Sequence, residues 1–411
     1  MENKDKINAT SENTIRILVH YSEVGLKGKN RAFFENKLRQ NIRIALRDIT
    51  RVKVKNEYGR FVLHLDRSNN LPLVVERLKN IPGLAYFNVA YPGDTDVEKL
   101  KHQVLEHIQE YQFDSFRIQT RRSDKQYPLT SVEVNRIVGA RIVEALNKKV
   151  DLKNPGLTCT IEIFNKQAYY SFEKNPGLRG LPVGSSAKVV SLLSSGIDSP
   201  VASFRMMTRG CRVIFVHFHS FPFTEKSSYY NTQILAKKLT KFQNKSVVYF
   251  VPLAKIQEAI ILGVHPKFRI IMYRRMMYRI AELVARKENA KALVTGESVG
   301  QVASQTLENI IAISEVVSLP VLRPLIGSDK EEIIEQAQNL GTFNTSIEPY
   351  DDCCSYLLPK SPETKAKLDE VHAAEARIDN WEELLQDAIH DAEVEIFRFP
   401  DGDINTSNDK E

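Results

Sequence analysis

The first part of the chain alternates strand patterns with amphipathic helix patterns. Alternating apolar and polar side chains predict three strands, at residues 14–19, 52–55 and 60–65. Apolar side chains recur three or four residues apart at Phe34, Leu38, Ile42, Ala45 and Ile49, which predicts a helix, and a second helix is predicted near 73–78. After a polar lead at 1–13, expected to be disordered, the order β-α-β-β-α predicts a ferredoxin-like α+β domain over residues 14–77.

A second α+β domain is predicted over residues 78–174. Its pattern has helices near 97–111 and 132–147 and strands at 115–120, 158–164 and 167–172. Residues 175–187 follow, and their glycines and prolines are typical of a linker.

The remaining sequence changes to apolar strands that alternate with long helix patterns. The strands are predicted at residues 188–193, 212–218, 246–251 and 292–295. Such alternation predicts an α/β domain with a parallel sheet and crossover helices, over residues 188–399. A short helix after Trp381, a strand-like run at 394–399 and a polar tail at 400–411 complete the chain.

Composition narrows the class of protein. The chain has 411 residues, of which 42% are hydrophobic and 26% charged, as in ordinary globular proteins. No apolar run approaches the roughly 20 residues of a membrane span, so no membrane partner is expected. The N-terminus has no signal-peptide pattern and four cysteines make no disulfide framework, so we expect a cytoplasmic protein.

Charge is distributed unevenly. The first 362 residues have 52 basic and 36 acidic side chains, a net charge of +16, whereas the rest of the chain is acidic. This asymmetry fits a polyanionic partner and a solvated basic surface about equally well. The stripe Arg39, Arg43 and Arg47 on the first predicted helix fits phosphate binding, but alone it favours a solvated helix face.

The segment from Ser194 to Ser199 is the most specific chemical signal. It joins a predicted strand to a predicted helix, where backbone N–H groups and the helix dipole favour an anion. The segment resembles the pyrophosphate-binding SGGxDS motif of PP-loop ATPases, which split ATP into AMP and pyrophosphate. Ser195 stands where that motif has its first glycine.

A basic segment precedes the helix predicted at 132–147. It contains Arg121, Arg122 and Lys125, and it ends at Thr130 with Glu133 close behind, which predicts a helix cap. Basic side chains beside helix N–H groups are suited to phosphate binding. The segment resembles the THUMP domain, which implies recognition of the acceptor end of tRNA.

Six motifs occur in an order and spacing that resemble the ThiI family of tRNA 4-thiouridine synthetases. They lie at residues 20–30, 122–130, 194–199, 295–306, 322–330 and 351–354. The resemblance implies a ferredoxin-like domain, a THUMP domain and a PP-loop domain of the adenine nucleotide alpha hydrolase type. It further implies that ATP, with Mg²⁺, adenylates the C4 oxygen of uridine 8 in tRNA, and that persulfide sulfur replaces this oxygen to give 4-thiouridine.

The resemblance also implies roles for individual residues. ATP is expected to contact Leu192, Leu193, Ser194, Ser195, Gly196, Ser199, His217, Phe218, Arg274, Gly296 and Gln305. Asp198 and Lys330 are expected to assist phosphate chemistry, although a capping carboxylate and a surface lysine are the structural alternatives. Lys27, Lys29, Arg39, Arg43, Arg121, Arg122 and Lys125 are expected to bind tRNA.

Some positions are expected to serve structure alone. Arg275, next to Arg274, is expected to face solvent, and Cys159 and Cys211 lie in apolar contexts that favour the core. His217 and His219 alternate along a strand, but a third ligand is not evident, so no protein-bound metal centre is expected.

Sulfur chemistry is expected at Cys353. In the family a cysteine at this point takes part in transfer from a persulfide that a cysteine desulfurase supplies. Cys354 is adjacent, and the sequence leaves open which thiol has the persulfide. No C-terminal rhodanese domain, found in some members, is expected, and sulfur donation to the thiazole sulfur-carrier protein and a homodimer both stay open.

Two alternative functions remain at this point. Another PP-loop tRNA-modifying enzyme is one, although the paired CxxC cysteines typical of 2-thio-forming enzymes are not in the sequence. A tRNA-binding protein with impaired catalysis is the other, because of Ser195.

Overall fold

The computed structural model describes residues 14–66, 70–349 and 362–400. Contacts divide the chain into an N-terminal unit and a C-terminal unit, with the boundary between Leu181 and Pro182. Residues 350–361, which include Cys353, lie outside the described residues, as do the predicted lead and most of the predicted tail. In the described ranges no helix combines the length and apolarity that crossing a bilayer requires.

The N-terminal unit has the predicted strands and helices, with β4, β6 and β9 in addition. Its strands are β1 (Thr14–His20), β2 (Lys53–Glu57), β3 (Arg60–Asp66), β4 (Tyr86–Gly93), β5 (Ser115–Arg122), β6 (Lys149–Val150), β7 (Leu157–Phe164), β8 (Gln167–Ser171) and β9 (Asn175–Pro176). Its α-helices are α1 (Arg31–Ala45), α2 (Leu71–Lys79), α3 (Val97–Ile108) and α4 (Ser131–Leu146).

These strands form one sheet in which β4 joins two halves. The order is β2-β3-β1-β4-β8-β7-β5-β6, with β9 paired to β4. The first part of β4 is antiparallel to β1, with Phe87 opposite Val19, and its end is antiparallel to β8, with Tyr91 opposite Tyr170. Helices α1 and α2 cover one half and α3 and α4 cover the other, each pair over its own hydrophobic core.

The C-terminal unit alternates strands and helices as predicted. Its strands are β10 (Lys188–Leu192), β11 (Arg212–His219), β12 (Lys245–Pro252), β13 (Leu293–Val294), β14 (Val321–Leu322) and β15 (Glu393–Arg398). Its α-helices are α5 (Asp198–Thr208), α6 (Ser227–Gln243), α7 (Ala254–Gly263), α8 (Arg269–Lys287), α9 (Leu307–Ser314), α10 (Lys330–Leu340), α11 (Phe343–Ser346), α12 (Leu368–Glu375) and α13 (Trp381–His390).

The sheet of this unit has the order β14-β13-β10-β11-β12-β15. The first five strands are parallel, which confirms the predicted α/β architecture, and β15 adds an antiparallel edge. Because β10 is central, the segment that follows it begins in the middle of the sheet. Helix α8 packs against this region and is buried at Met272, Tyr273 and Met276.

The expectation that Arg275 faces solvent is wrong. Its side chain is 2% exposed and forms ion pairs of 2.7 Å with Glu375 and 2.6 Å with Glu315. Arg279 pairs with the same Glu375, so two arginines of α8 share one carboxylate of α12. Burial opposes ionisation of Glu375, but hydrogen bonds from Arg279 and Arg275 outweigh it and lower the pKa of Glu375 to about 2.

We expect Glu375→Gln to lower the free energy of unfolding of the C-terminal unit by about 3 kcal/mol, because it removes the carboxylate that pairs with Arg279 and leaves Arg275 with Glu315 alone. Urea unfolding followed by the fluorescence of Trp381, the single tryptophan, measures this. The folded-state pKa of Glu375 is depressed, so its stabilisation is complete above the unfolded pKa of about 4.3 and declines as the pH falls toward 2.

The difference between wild type and Glu375→Gln should therefore shrink between pH 7 and pH 3.5. Glu370→Gln is the matched control, because Glu370 lies on the same helix in an exposed pair with Lys267. Such a pair contributes at most about 1 kcal/mol. Equal effects of the two substitutions, or a difference that does not vary with pH, would contradict this account of Glu375.

Candidate functional site

A cavity of about 470 Å³ lies at the carboxyl ends of β10, β11 and β13. In open α/β sheets this edge is where ligands bind. The predicted site residues in its wall are Leu192, Leu193, Ser194, Asp198, Ser199, His217, Phe218, Arg274, Gly296 and Gln305. Residues that are distant in sequence are thus brought together, although Ser195, Gly196 and Lys330 are not in the wall.

The segment from Ser194 to Ser199 forms a tight turn between β10 and α5. The N–H of Ser194 donates to Oγ of Ser199 at 2.9 Å, and the Ser199 hydroxyl also lies 3.2 Å from the Ser194 carbonyl oxygen. Ile197 occupies the position before α5 and has no polar side chain with which to cap it. The amino end of α5 therefore faces the cavity wall without a side-chain cap, as an anion site requires.

Ser195 fits this turn without strain. It is buried, at 1% exposure, and among the described residues it is not one of those with positive φ. The glycine of the family motif is therefore not required here for a left-handed backbone.

Gly296 is the position where a side chain does not fit. A Cβ atom there would lie 2.7 Å from the backbone nitrogen of Ser199 and 2.8 Å from the carbonyl carbon of Asp198. The loop after β13 thus contacts the amino end of α5 backbone to backbone. The lack of a side chain at Gly296 allows this close contact.

Asp198 has two hydrogen-bond partners at the end of the cavity next to the start of α5. Its Oδ1 accepts a 2.5 Å hydrogen bond from Nζ of Lys330, and its Oδ2 accepts one of 2.8 Å from Nε2 of Gln301. Lys330 is the first residue of α10, so the amino ends of α5 and α10 both contribute to this corner. Gln301 was not predicted, although it lies within the motif at residues 295–306.

Arg205, further along α5, holds α10 in place. Its guanidinium donates to the Pro324 carbonyl oxygen at 2.7 Å, to Oγ of Ser328 at 3.0 Å and to Oε1 of Gln336 at 3.0 Å. It also pairs with Glu332 at 2.6 Å. Because these partners flank Lys330, Arg205 fixes where Lys330 meets Asp198.

Glu297 was also not predicted, and it connects three parts of the wall. Its carboxylate pairs with Arg274 at 2.5 Å and Arg323 at 2.6 Å, and it accepts a 3.0 Å hydrogen bond from Tyr278. Burial opposes its ionisation, but the two arginine charges outweigh burial and hold the pKa of Glu297 below its usual range. An acidic residue after Thr295 and Gly296, with Arg323 in another motif and Arg274 among the expected ATP contacts, was the available signal.

Contacts with neighbouring residues fix the positions of the other wall residues. Arg274 donates to Oγ of Ser304 at 3.1 Å, and Gln305 accepts from the Ser298 N–H at 3.3 Å. His217 is buried at the end of β11 and contacts the Leu193 carbonyl oxygen through Nδ1. These contacts leave a partly apolar wall suited to a planar base, with the turn of α5 at one end.

The sulfur candidates Cys353 and Cys354 lie outside the described residues. The residues on either side of them are at the site: Ser346 donates to the Gly196 carbonyl oxygen at 3.2 Å, and Pro362 lines the cavity. Cys159 and Cys211 are buried as expected, and burial raises the pKa of both thiols, which disfavours the reactive thiolate.

The first group of predicted tRNA-binding residues lies on and before α1. Lys27 lies between two short 3-10 turns that separate β1 from α1, Lys29 belongs to the second turn, and Arg39 and Arg43 lie on α1 itself. Glu35 anchors the base of this region by accepting hydrogen bonds from Tyr21, from Arg31 at 2.7 Å and from Asn56 at 2.6 Å.

The second group lies at the end of β5. Arg121 is exposed and donates to the Tyr86 hydroxyl at 2.6 Å, and Lys125 is exposed in the following loop. Arg122 instead donates to the Tyr127 carbonyl oxygen at 2.9 Å within that loop. The predicted cap is confirmed as a reciprocal capping box between Thr130 and Glu133, which occupies two N–H groups at the start of α4. Side chains are thus better placed than those N–H groups to contact phosphate.

Three family models match the chain. The model described as thiamine biosynthesis protein (ThiI) matches residues 184–379, the ThiI ferredoxin-like domain matches 16–88, and the THUMP domain matches 94–173.

Relatives match almost the whole chain. A probable tRNA sulfurtransferase of Brevibacillus brevis is 43% identical and covers 92% of this chain and 95% of its own length. One of Thermus thermophilus is 41% identical, with 94% and 95% covered. The solved structure of a 4-thiouridine synthetase–RNA complex with bound ATP is 35% identical, has a TM-score of 0.85 and covers 94% of this chain and 100% of its own.

We expect Ser195→Gly to change affinity for ATP by no more than about twofold, because glycine relieves no backbone strain at this position. Gly296→Ala should weaken ATP binding by about tenfold or more, since its Cβ would displace the backbone of Ser199. Calorimetry on the folded variants measures both effects.

Gly327→Ala is the matched control, because a Cβ at Gly327 would contact nothing within 4 Å. A large gain in affinity from Ser195→Gly would mark Ser195 as a defect. Wild-type affinity in Gly296→Ala would show that the contact with α5 does not shape the site.

Proposed function

The chain belongs to the ThiI family, and we propose that it is an ATP-dependent tRNA sulfurtransferase that converts uridine 8 of tRNA into 4-thiouridine. Identity above 40% to tRNA sulfurtransferases over most of the chain supports this, as does the likeness to a 4-thiouridine synthetase. The observation that carries the proposal is the cavity at the sheet edge, with the turn of α5 and the pair Asp198–Lys330 at one end.

The reaction proceeds in two displacements. The uracil O4 attacks the α-phosphorus of ATP in the cavity, the bond to the bridging oxygen breaks, and pyrophosphate leaves toward the amino end of α5. Uncapped N–H groups and the helix dipole stabilise this anion. The outer sulfur of a cysteine persulfide then bonds to C4 of the uracil, and AMP departs with the former O4. A thiol co-reactant attacks the inner sulfur, and the S–S bond breaks to leave 4-thiouridine and a disulfide.

Lys330 supplies a mobile positive charge to the phosphoryl group that is transferred. Its Nζ lies 2.5 Å from Asp198, which is in the wall, so a small movement would bring it to a phosphate oxygen. Asp198 is partly exposed there, and its carboxylate would hold Mg²⁺ when the ion is bound. Bound Mg²⁺ would neutralise charge on the phosphates, and Gln301 would keep the carboxylate oriented.

Cys353 is proposed to deliver the sulfur. Pro362 lines the cavity and Ser346 contacts Gly196 in the turn before α5, so described residues on both sides of the cysteines lie near the proposed adenylation site. Burial makes Cys159 and Cys211 poor candidates, which leaves Cys353 and its neighbour Cys354. A cysteine desulfurase is the proposed persulfide donor, and the thiazole sulfur-carrier protein is a proposed second acceptor.

The N-terminal unit is proposed to bind the acceptor end of tRNA through Lys27, Lys29, Arg39, Arg43, Arg121, Arg122 and Lys125. Of these, Lys29, Arg43, Arg121 and Lys125 are exposed, as phosphate contacts require. The proposed setting is the cytoplasm, where tRNA and ATP are available.

Complementation of a strain that lacks 4-thiouridine tests this function. The wild type, expressed with a compatible desulfurase, should restore 4-thiouridine, measured by nucleoside mass spectrometry. Asp198→Ala, Lys330→Gln and Cys353→Ser should each reduce it by about a hundredfold or more, as loss of a group that acts in the transition state does. Lys291→Gln, which changes an exposed lysine elsewhere in the unit, is the control.

The outcomes separate the proposed roles. Full activity in Cys353→Ser with none in Cys354→Ser would transfer the sulfur role to Cys354. If the wild type binds tRNA but restores no 4-thiouridine, the protein is a tRNA-binding protein with impaired catalysis.

Affinity for tRNA should fall steeply as salt increases, because basic side chains displace counterions from phosphates. Arg121→Ala should weaken binding and reduce the slope of log K against log salt by about 1. Filter binding from 50 to 200 mM salt measures this, with Lys79→Ala as the control on an exposed lysine of α2. A flat salt response would contradict the basic-surface argument.

A further inference from the structure

The ferredoxin-like half of the N-terminal sheet has a second face, on the side away from helices α1 and α2. Ile17 belongs to the core under those helices. Because side chains alternate along a strand, Leu18 is on the opposite face, where it packs with Val62. Phe164 of β7 and Tyr169 of β8 cover the middle of this second face. Its two ends differ in how their charges are balanced.

At one end, a buried carboxylate neutralises the basic side chains. Arg60 of β3 and His20 of β1 are opposite each other in the sheet. Glu162 of β7 accepts a hydrogen bond from Arg60 and lies 2.9 Å from Nε2 of His20. The His20 ring stacks on Tyr86, and Arg121 donates to the Tyr86 hydroxyl. The exposed Arg121, a proposed tRNA contact, is therefore at this end of the face.

The other end has basic side chains that no carboxylate of the described residues pairs with. Arg16 lies four residues before His20 on β1 and is opposite His64 of β3, which is in turn opposite Lys53 of β2. Lys55 is on the same face two residues beyond Lys53, and both lysines are exposed. In the described ranges Arg16, Lys53 and Lys55, here called the basic row, form no ion pair.

His64 shows that the charges of the basic row act on one place. Its Nε2 is buried and has no hydrogen-bond partner among the described residues. Burial lowers the pKa of His64 to about 4, and the positive charges of Arg16, Lys55 and Lys53 contribute to the decrease. The ring is therefore neutral at pH 7. Like charges on neighbouring strands repel each other, so the basic row destabilises the sheet while no anion is bound.

We propose that the basic row is a second RNA-binding surface, which contacts the phosphate backbone of the tRNA body while the acceptor end lies near Arg121. The two ends of the face are about 14 Å apart along the strands, so a continuous RNA backbone can reach both. Phosphates would supply at this end the negative charge that Glu162 supplies at the other. This inference rests on the proposed binding of tRNA and names a further surface for it.

Other macromolecules fit the basic row less well. Binding to a membrane surface usually combines basic side chains with exposed apolar ones, whereas Leu18 and Val62, the apolar neighbours on this face, are buried. An acidic protein could meet the charge. However, the cations extend in a line across β1, β3 and β2, which suits a linear chain of phosphates, and the same unit already has a proposed RNA partner.

The test measures binding of labelled ligands to the full chain by fluorescence anisotropy. The variants are Lys53→Gln/Lys55→Gln and Arg16→Gln. Lys79→Gln is the matched control, because Lys79 is an exposed lysine of α2, on the other side of the same half. The ligands are tRNA, a short single-stranded RNA with the 3′-terminal sequence of tRNA, and polyglutamate. Thermal unfolding of each free variant checks its folding.

We expect Lys53→Gln/Lys55→Gln to bind tRNA about tenfold more weakly than wild type at about 100 mM salt. The slope of log K against log salt should decrease by about 2 in this variant and by about 1 in Arg16→Gln, because each lost phosphate contact releases fewer counterions. Affinity for the short RNA should stay within about twofold of wild type, since that RNA does not reach the basic row. The unfolding temperature should not decrease, because repulsion among the cations is reduced.

The inference is overturned if the variants bind tRNA with the affinity and salt slope of wild type. It is also overturned if the short RNA loses as much affinity as tRNA, which indicates a general effect of charge, or if the variants unfold at lower temperature, which indicates a structural role. Loss of polyglutamate binding with unchanged tRNA binding would assign the row to an acidic protein.

The proposed function can fail separately. Binding of tRNA with the expected dependence on the basic row, but without thiolation, contradicts the sulfurtransferase assignment and leaves the second surface intact. If wild type does not bind tRNA, both fail.

Discussion

The wall of the cavity depends on the buried carboxylate of Glu297. It neutralises Arg274 from α8 and Arg323 from the segment after β14, and Tyr278 donates to it as well. Without this charge, two arginines would lie close together in a poorly hydrated place, where their repulsion would separate α8 from the strand ends. Glu297 directly follows Gly296. These two neighbouring residues therefore determine the charge balance of this wall and its backbone contact with α5.

The amino ends of α5 and α10 meet at the polar end of the cavity, where Asp198 pairs with Lys330. Gly296 allows the loop after β13 to contact the start of α5, and Arg205 attaches the start of α10 to the body of α5. Asp198 and Lys330 meet only because both helices begin at this corner. Their ion pair satisfies both charges before a nucleotide binds. A bound triphosphate would give Lys330 a second anion, and Asp198 would keep its hydrogen bond from Gln301.

Much of the fold could be predicted because its helices have clear apolar faces and its strands are bounded by glycine and proline. Strand β4 could not, because it pairs on both edges with strands from two halves of a sheet, and Pro92 and Gly93 at its end resemble a turn. The burial of Arg275 could not be predicted from the sequence either. Its partners Glu315 and Glu375 lie 40 and 100 residues away in sequence, and a local pattern does not indicate contacts between residues so far apart.

In the candidate site, too, local sequence motifs predict which residues are present but not which distant residues they contact. The motifs identify residues of the site. The role of each residue depends on which distant residues contact it in the folded protein. The motif drew attention to Ser195, where a glycine is usual, yet Ser195 is buried with an ordinary backbone. Gly296, about a hundred residues later, is where a side chain would collide with the turn. The steric requirement of an anion-binding turn therefore extends to the loop that packs on it, so a serine within the turn is weak evidence against catalysis.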